Sequence, residues 1–441
     1  MKKYDTYKNS GIQWIGQVPE HWAILPMKHC ANLFTGNSIS DKDKENYSDA
    51  SDAYPYIATK DINAQTLLAD YENGIYTKKD DASFKIASKG STLLCIEGGS
   101  AGRKKTYLTE DVSFVNKLCC FTAKEAMSGK YLYYYINSNE FVEMFNNHIT
   151  GLIGGVSLSQ LVNFKVPLPP LSEQQAIADF LDKQTGEIDK AISLFEREKL
   201  DLQAYRKAII SETVTKGLNP NAKLKDSGIQ WIGQIPEEWT VKRLKHFVSL
   251  LTDGTHQTPT YIEEGVPFIS IKDISSGKID FSDVKYISNE EHLELQSHAP
   301  IEKGDIIFTR IGTLGVFVKV DTDRVFDIFV SVGLIKLIPN TINTDYLVYY
   351  LSSDMIKEYI SFTKVGEGTS APKINLTSAR NMPIITPSLA EQEAIANFLN
   401  KKTSDIDTAI ERIKTQITEL QAYRTALISE AVTGKIDVRN Q

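Results

Sequence analysis

The sequence is poor in the residues that would make it secreted, metal-bound or membrane-embedded. It has four cysteines in 441 residues. Cys30 and Cys95 stand alone, Cys119 and Cys120 are adjacent, and no C-x-x-C pair occurs. That pattern excludes a disulfide framework and argues against a zinc cluster, so a reducing cytoplasm is the expected home. Apolar runs are short, of the kind of LVYYL at 347–351, and none approaches the roughly 20 residues a membrane helix needs. The opening MKKYDTYKNSG carries charge with no apolar stretch behind it, so no secretory leader is expected. Basic charge is also scarce: 49 Lys and Arg against 56 Asp and Glu give a net charge of -7. A stand-alone nucleic-acid binder is usually basic. What remains is an ordinary soluble composition, 41% hydrophobic and 24% charged, in a chain long enough for two or three domains.

Catalytic signatures are missing as well. The nearest approach to a phosphate loop, GGSAGRKKT at 98–106, has Lys104 where the second glycine belongs, and reads as a basic turn. There is no G-x-G-x-x-G between a strand and a helix, no N-P-P-Y or D-P-P-Y loop and no H-E-x-x-H. The seven histidines (21, 29, 148, 246, 256, 292 and 298) have no metal-ligand spacing.

The chain does, however, contain itself twice. SGIQWIGQVPEHW at 10–22 returns as SGIQWIGQIPEEW at 227–239, with 11 of 13 positions identical. Residues 173–215 return as 391–433 with 24 identities in 43 positions. The two offsets are 217 and 218, so this is one duplication rather than chance likeness. Fainter echoes join YPYIATKDIN (54–63) to VPFISIKDIS (266–275), and KYLYYYINS (130–138) to DYLVYYLSS (345–353). Each half is therefore a short arm, a diverged domain and a well-kept helical segment.

The helical segments carry coiled-coil stripes. Leu181, Ile188, Phe195, Leu202 and Ile209 recur every seven residues, with Ile192 between; Leu399, Ile406, Ile413, Leu420 and Leu427 do the same, with Ile410 and Ile417 between. Ser172 three residues before Gln175, and Ser388 three before Glu391, have the spacing of capping boxes. A helix of some 40 residues spans roughly 60 Å, and one stripe cannot be buried alone. Like surfaces pack about a two-fold axis, which predicts antiparallel helices with the diverged domains inverted at opposite ends. The fold class that follows is two similar α/β domains joined by two long helices in an antiparallel, pseudo-two-fold coiled coil. STLLCI (91–96) and DIIFTRI (305–311) read as strands, YLYYYI and YLVYYL as short helices.

SGIQWIGQ-P-E-W at the head of each half, P-L-S-EQ-AIA-FL before the first long helix with its echo before the second, and LQAYR-A-ISE-VT at its end together resemble the specificity subunit of type I restriction–modification enzymes. The resemblance covers essentially the whole chain, duplication included. It implies an arm at 1–22, a first target-recognition domain at 23–165, a conserved spacer at 166–226, an arm plus second recognition domain at 227–382, and a second spacer at 383–441. It further implies that each recognition domain reads one half of a bipartite site on double-stranded DNA. The helices would set the gap and dock two methyltransferase (modification) subunits, with two ATP-dependent restriction subunits in the full complex. No catalytic residue, metal or cofactor is expected in this chain; S-adenosylmethionine, ATP and magnesium belong to the partners. DNA advances about 34–36 Å per turn, so a roughly 60 Å rod suits half-sites about one turn apart.

Charge remains the difficulty. Residues 23–160 carry 14 basic and 16 acidic side chains, and residues 240–382 carry 15 and 18. Phosphate contacts dominate DNA affinity. The positive groups must therefore cluster or the partners must supply grip, and the isolated chain is expected to bind DNA weakly. Candidate contacts in the first domain are Lys78, Lys79, Arg103, Lys104 and Lys105, with Gly154 and Gly155 in the loop 151–157, where backbone can come close. In the second they are Thr255, His256, Gln257, Arg310, and Lys364 and Lys373 of the loop KVGEGTSAPK; arginine is the commonest reader of guanine. Tyr133–Tyr135 and Tyr349–Tyr350 recur in both halves and read as core. Trp14, Trp22, Trp231 and Trp239 read as anchors for the arms. Two other classes stay open at this point: a coiled-coil adaptor whose twin domains bind proteins, and an unrecognised nuclease centre near acidic pairs such as Asp80–Asp81.

Overall fold

The structure, a computed structural model, describes residues 2–151, 154–366 and 371–439. The chain forms two compact units, Met1–Glu196 with Lys414–Gln441, and Arg197–Ile413. The first long helix, Leu171–Lys216, and the second, Leu389–Val432, each give a segment to both.

In the first unit the main sheet is antiparallel and runs Ala31–Thr35, Leu118–Ala123, Thr92–Cys95, Lys105–Tyr107. Side chains alternate between its faces, as the period of a strand requires. Leu94, Cys119 and Phe121 join a core with the helix Gly129–Asn137 and with Ile177, Leu181 and Ile188 of the first long helix. Leu93, Cys95, Leu118 and Cys120 join another, against Ile57, Val112 and Phe114 of a second sheet. Adjacent Cys119 and Cys120 thus enter different cores, and all four cysteines are buried free thiols.

The second unit repeats this plan. Its main sheet runs Val248–Asp253, Val332–Leu337, Ile306–Thr309, Phe317–Lys319 in the same order. In both units the second sheet contains one parallel pair, Ala53–Ile57 with Val112–Phe114 and Val266–Ile269 with Asp327–Ile328. The bend after the first main strand needs glycine in both. A Cβ on Gly36 would lie 1.8 Å from the Phe114 carbonyl oxygen, and one on Gly254 would lie 1.9 Å from that of Ile328.

The repeated tyrosines are core, and their hydroxyls are satisfied. Tyr131 and Tyr135 donate to the carbonyls of Pro167 and Lys165; Tyr346 and Tyr350 donate to those of Ile385 and Pro383. These are matching positions. Tyr131 also donates to the Val432 carbonyl at 3.0 Å, tying the end of the second long helix to the start of the first. Tyr133 and Tyr349 are only partly buried.

Within each unit the two helix segments run antiparallel. In the first, Tyr131 joins Pro167 to Val432, and further along Asp189 pairs with Arg424. In the second, Gly217 lies beside Glu391, and Arg206 pairs with Asp407. Of the stripe residues, Leu181, Ile188, Leu399, Ile406, Ile413 and Leu427 are buried, whereas Phe195, Leu202, Ile209 and Leu420 are half-buried.

The helix starts differ from the capping-box expectation. Ser388 caps the second helix, accepting from the Glu391 N–H at 3.3 Å. Ser172 does not cap the first. That helix begins at Leu171, directly after Pro169–Pro170, and the Glu173 N–H is taken by the Pro170 carbonyl. Pro170 stands where the other half has Ser388, so no hydroxyl is available there.

Candidate nucleic-acid interface

Two loops meet at the end of each main sheet. In the first unit the strand Thr92–Cys95 runs into the turn 97–103. The Gly98 N–H donates to the Gly154 carbonyl at 2.8 Å, and Glu97 bridges Gly155. The basic turn and the glycine loop, 56 residues apart at Gly98 and Gly154, therefore form one surface. A cleft of about 320 Å³ lies there, lined by Gly98, Gly99, Arg103, Asn146 and Gly154 among others. Arg103 is exposed and folds back to donate to the Gly99 carbonyl. Leu152 and Ile153 of this loop lie outside the described residues.

In the second unit the same junction carries different side chains. The strand Ile306–Thr309 leads to Arg310; the Gly312 N–H donates to the Pro372 carbonyl and the Ile374 N–H to the Arg310 carbonyl. Ile311 bridges Lys373, as Glu97 bridges Gly155. Arg310 Nη1 meets Asp253 Oδ2 at 2.5 Å, and His256 Nε2 lies 3.2 Å from the same oxygen. The structure thus joins Arg310, Lys373 and the loop from Thr255 to Gln257, which the sequence kept apart. Asp253 is the organising residue that sequence reasoning missed. Its signal was faint: a lone acid before Gly254, where the first half has Thr35 before Gly36. Lys364 and Lys373 are exposed; residues 367–370 of their loop lie outside the described residues.

Other candidates stand elsewhere or are occupied. Lys105 is corrected outright. It is buried on the strand Lys105–Tyr107, and its Nζ donates to the Ile136 carbonyl at 2.9 Å. Burial pushes its pKa down to about 8, so it is a core residue and not a DNA contact. Lys104 Nζ is bonded to the Thr59 carbonyl. Lys78 and Lys79 are exposed and paired with Asp49 at 2.6 Å and Asp52 at 3.0 Å. Among the described residues, no three His, Cys, Asp or Glu side chains group as metal ligands.

The arm tryptophans divide into two kinds. Trp22 and Trp239 are buried, and their indole N–H groups donate to Glu173 at 3.1 Å and Glu391 at 2.9 Å. Those glutamates sit in the first turn of each long helix, so arm and helix are locked by a repeated charge-assisted bond. Trp14 and Trp231 are half-buried, and their indole N–H groups meet no acceptor among the described residues.

Known proteins share this plan. The type I restriction modification DNA specificity domain matches the chain twice, at residues 19–194 and 236–419. The MjaVIII specificity subunit of Methanocaldococcus jannaschii is 26% identical over 96% of this chain and 95% of its own length. The EcoKI specificity subunit of Escherichia coli K12 is 23% identical over 96% and 90%. Among solved structures, the HsdS subunit of Thermoanaerobacter tengcongensis superposes with a TM-score of 0.54 at 16% identity, covering 95% of this chain and 98% of that one. A chain from a structure of complex assembly and conformational transition in a type I restriction–modification system gives 0.73 at 14% identity, covering 95% and 99%. No described helix is long and apolar enough to cross a membrane. Two matched domains on a duplicated frame of arms and long helices place the chain in the type I restriction modification DNA specificity family.

Proposed function

We propose that the chain is the non-catalytic, sequence-reading subunit of a cytoplasmic type I restriction–modification complex, and that each α/β domain reads one half of a bipartite target in double-stranded DNA. One observation carries this reading. The two domains keep the same sheet order and loop junction but exchange the side chains there: Thr35, Ile96 and Gly155 in one, Asp253, Arg310 and Lys373 in the other. A shared scaffold with different chemistry at its rim suits two readers of two different sequences.

In this reading the length of the long helices fixes the gap between half-sites, and their outer faces dock two methyltransferase subunits; two restriction subunits complete the cleaving form. S-adenosylmethionine, ATP and magnesium act in those partners. The domain limits are those of the duplication: recognition at 23–165 and within 227–382, spacers at 166–226 and 383–441. Arg103, Gly154 and Gly155 contact DNA in the first half, and Thr255, His256, Gln257, Arg310, Lys364 and Lys373 in the second.

Mapping methylated adenines in the host genome tests this, with and without the gene. Loss of one bipartite motif on deletion is expected. A methylome unchanged by deletion, with the partner subunits expressed, would remove the reading.

A further inference from the structure

The second unit holds a basic cleft away from the loop junction. It has a volume of about 670 Å³ and lies between the arm, the strand Thr240–Arg243 with the turn after it, and the helix Asp354–Thr363. Lys242, Arg243, Lys245 and His246 line it, with the rings of Trp231 and Tyr359. All four basic side chains are exposed. Arg243 is aimed by a bond from Nη1 to Asn381 Oδ1 at 3.1 Å, and Tyr359 is fixed by its hydroxyl on the Ser378 carbonyl at 2.8 Å.

These three cations stand together in the cleft with no counter-ion among the described residues. Across the same unit, Lys272, Lys303, Lys319 and Lys336 each pair with a carboxylate at 3.0 Å or less. Lys242, Arg243 and Lys245 form no ion pair among the described residues. Three unneutralised cations in four positions of a chain of net charge -7 are a local reversal of sign. They sit on the frame rather than on the diverged loops. Lys245 and His246 recur as Lys28 and His29 in the first half, whereas Lys242 and Arg243 are replaced there by Leu25 and Pro26.

We infer that this cleft is a clamp for the DNA phosphate backbone, stronger in the second unit than in the first. Contacts to phosphate carry no sequence information, so they can sit on a framework strand away from the loops that read bases. The inference rests on the proposed reading and supplies the positive cluster that an acidic DNA binder requires. Guanidinium and ammonium groups beside an open wall suit phosphate oxygens of a duplex lying across the cleft.

The test uses the full chain assembled with its methyltransferase partner, carrying Lys242→Gln, Arg243→Gln and Lys245→Gln together. All three side chains are exposed, so the fold is expected to persist, and circular dichroism and light scattering check it. Binding to a short duplex carrying the methylated motif, and to a scrambled one, is measured over a salt series. Each lost phosphate contact lowers the slope of log affinity against log salt by about 0.9. A fall of about two to three is expected, with equal weakening on both duplexes and intact assembly. An unchanged slope overturns the clamp. So does loss of assembly with undiminished DNA binding by the assembled fraction, which would make an acidic protein segment the occupant. Failure of the unaltered complex to prefer its motif would sink the specificity reading instead, and is seen separately.

Discussion

Arg424 grips Asp189 with two nitrogens, Nε at 2.8 Å and Nη2 at 3.2 Å from the two carboxylate oxygens. The second unit repeats the contact 218 residues away in sequence, with Arg206 on Asp407 at 2.8 and 3.1 Å. Each arginine comes from an LQAYR segment and each aspartate from the opposite helix. The stripe supplies burial; these pairs fix which turn faces which.

The pairs are partly exposed, so their worth is modest. A double-mutant cycle on Asp189→Ala and Arg424→Ala is expected to give a coupling of about 0.5–1 kcal/mol in low salt, shrinking as salt is raised. Urea unfolding supplies the four free energies. A coupling indistinguishable from zero at low salt would reduce the pair to a decoration.

Stripe residues should differ in cost. Leu399 is fully buried, whereas Leu202 is half-buried. Leu399→Ala is expected to destabilise by about 2–4 kcal/mol, and Leu202→Ala by roughly 1 kcal/mol or less, since a half-buried side chain loses little area. Equal losses in denaturant titrations would mean that the stripe is buried evenly along its length.

Buried Lys105 gives a pH signature. Desolvation lowers its folded pKa to about 8 from an ordinary value of 10.5. The unfolded chain holds that proton more tightly, so stability rises with pH through this window. The gain amounts to about 3 kcal/mol at most. Lys105→Met removes the titrating group, so its stability relative to the parent should fall as pH goes from about 8 to 10.5. A constant difference across that range would show that the ammonium is not desolvated.

The proposed division of the two half-sites between the domains predicts selective damage. Arg103→Ala should relax methylation at one half of the motif and Arg310→Ala at the other, each by about 1–3 kcal/mol of discrimination. Methylome sequencing reads both halves at once. If either change blurs both halves, the domains do not read independently.

The locking glutamates offer a structural test. Glu173 is buried against His21 at 2.9 Å and Trp22 at 3.1 Å. Glu173→Ala strands the buried Trp22 indole N–H and is expected to cost about 1–3 kcal/mol. Retention of full thermal stability would contradict the lock between arm and helix.

Much of this was legible in the residues. The duplication, the long helices, the antiparallel pairing within each unit and the tyrosine core follow from spacing and recurrence. The glutamate anchors were legible in principle, since Glu173 and Glu391 repeat in step with Trp22 and Trp239. Other features were not. Lys105 follows Lys104 in a basic run, yet its strand turns it into the core while its neighbour bonds the half-buried Thr59 carbonyl. Arg310 is governed by Asp253, a residue 57 positions earlier, through sheet pairing that no local pattern encodes.

The sequence by itself determined the plan, because periodicity and repetition are one-dimensional signals that survive without coordinates. Which cations are neutralised, which are buried, and which loops share a rim was decided only by tertiary structure. Those properties depend on distances between residues far apart in the chain, and a few ångströms separate an ion pair from a charge left open to a ligand.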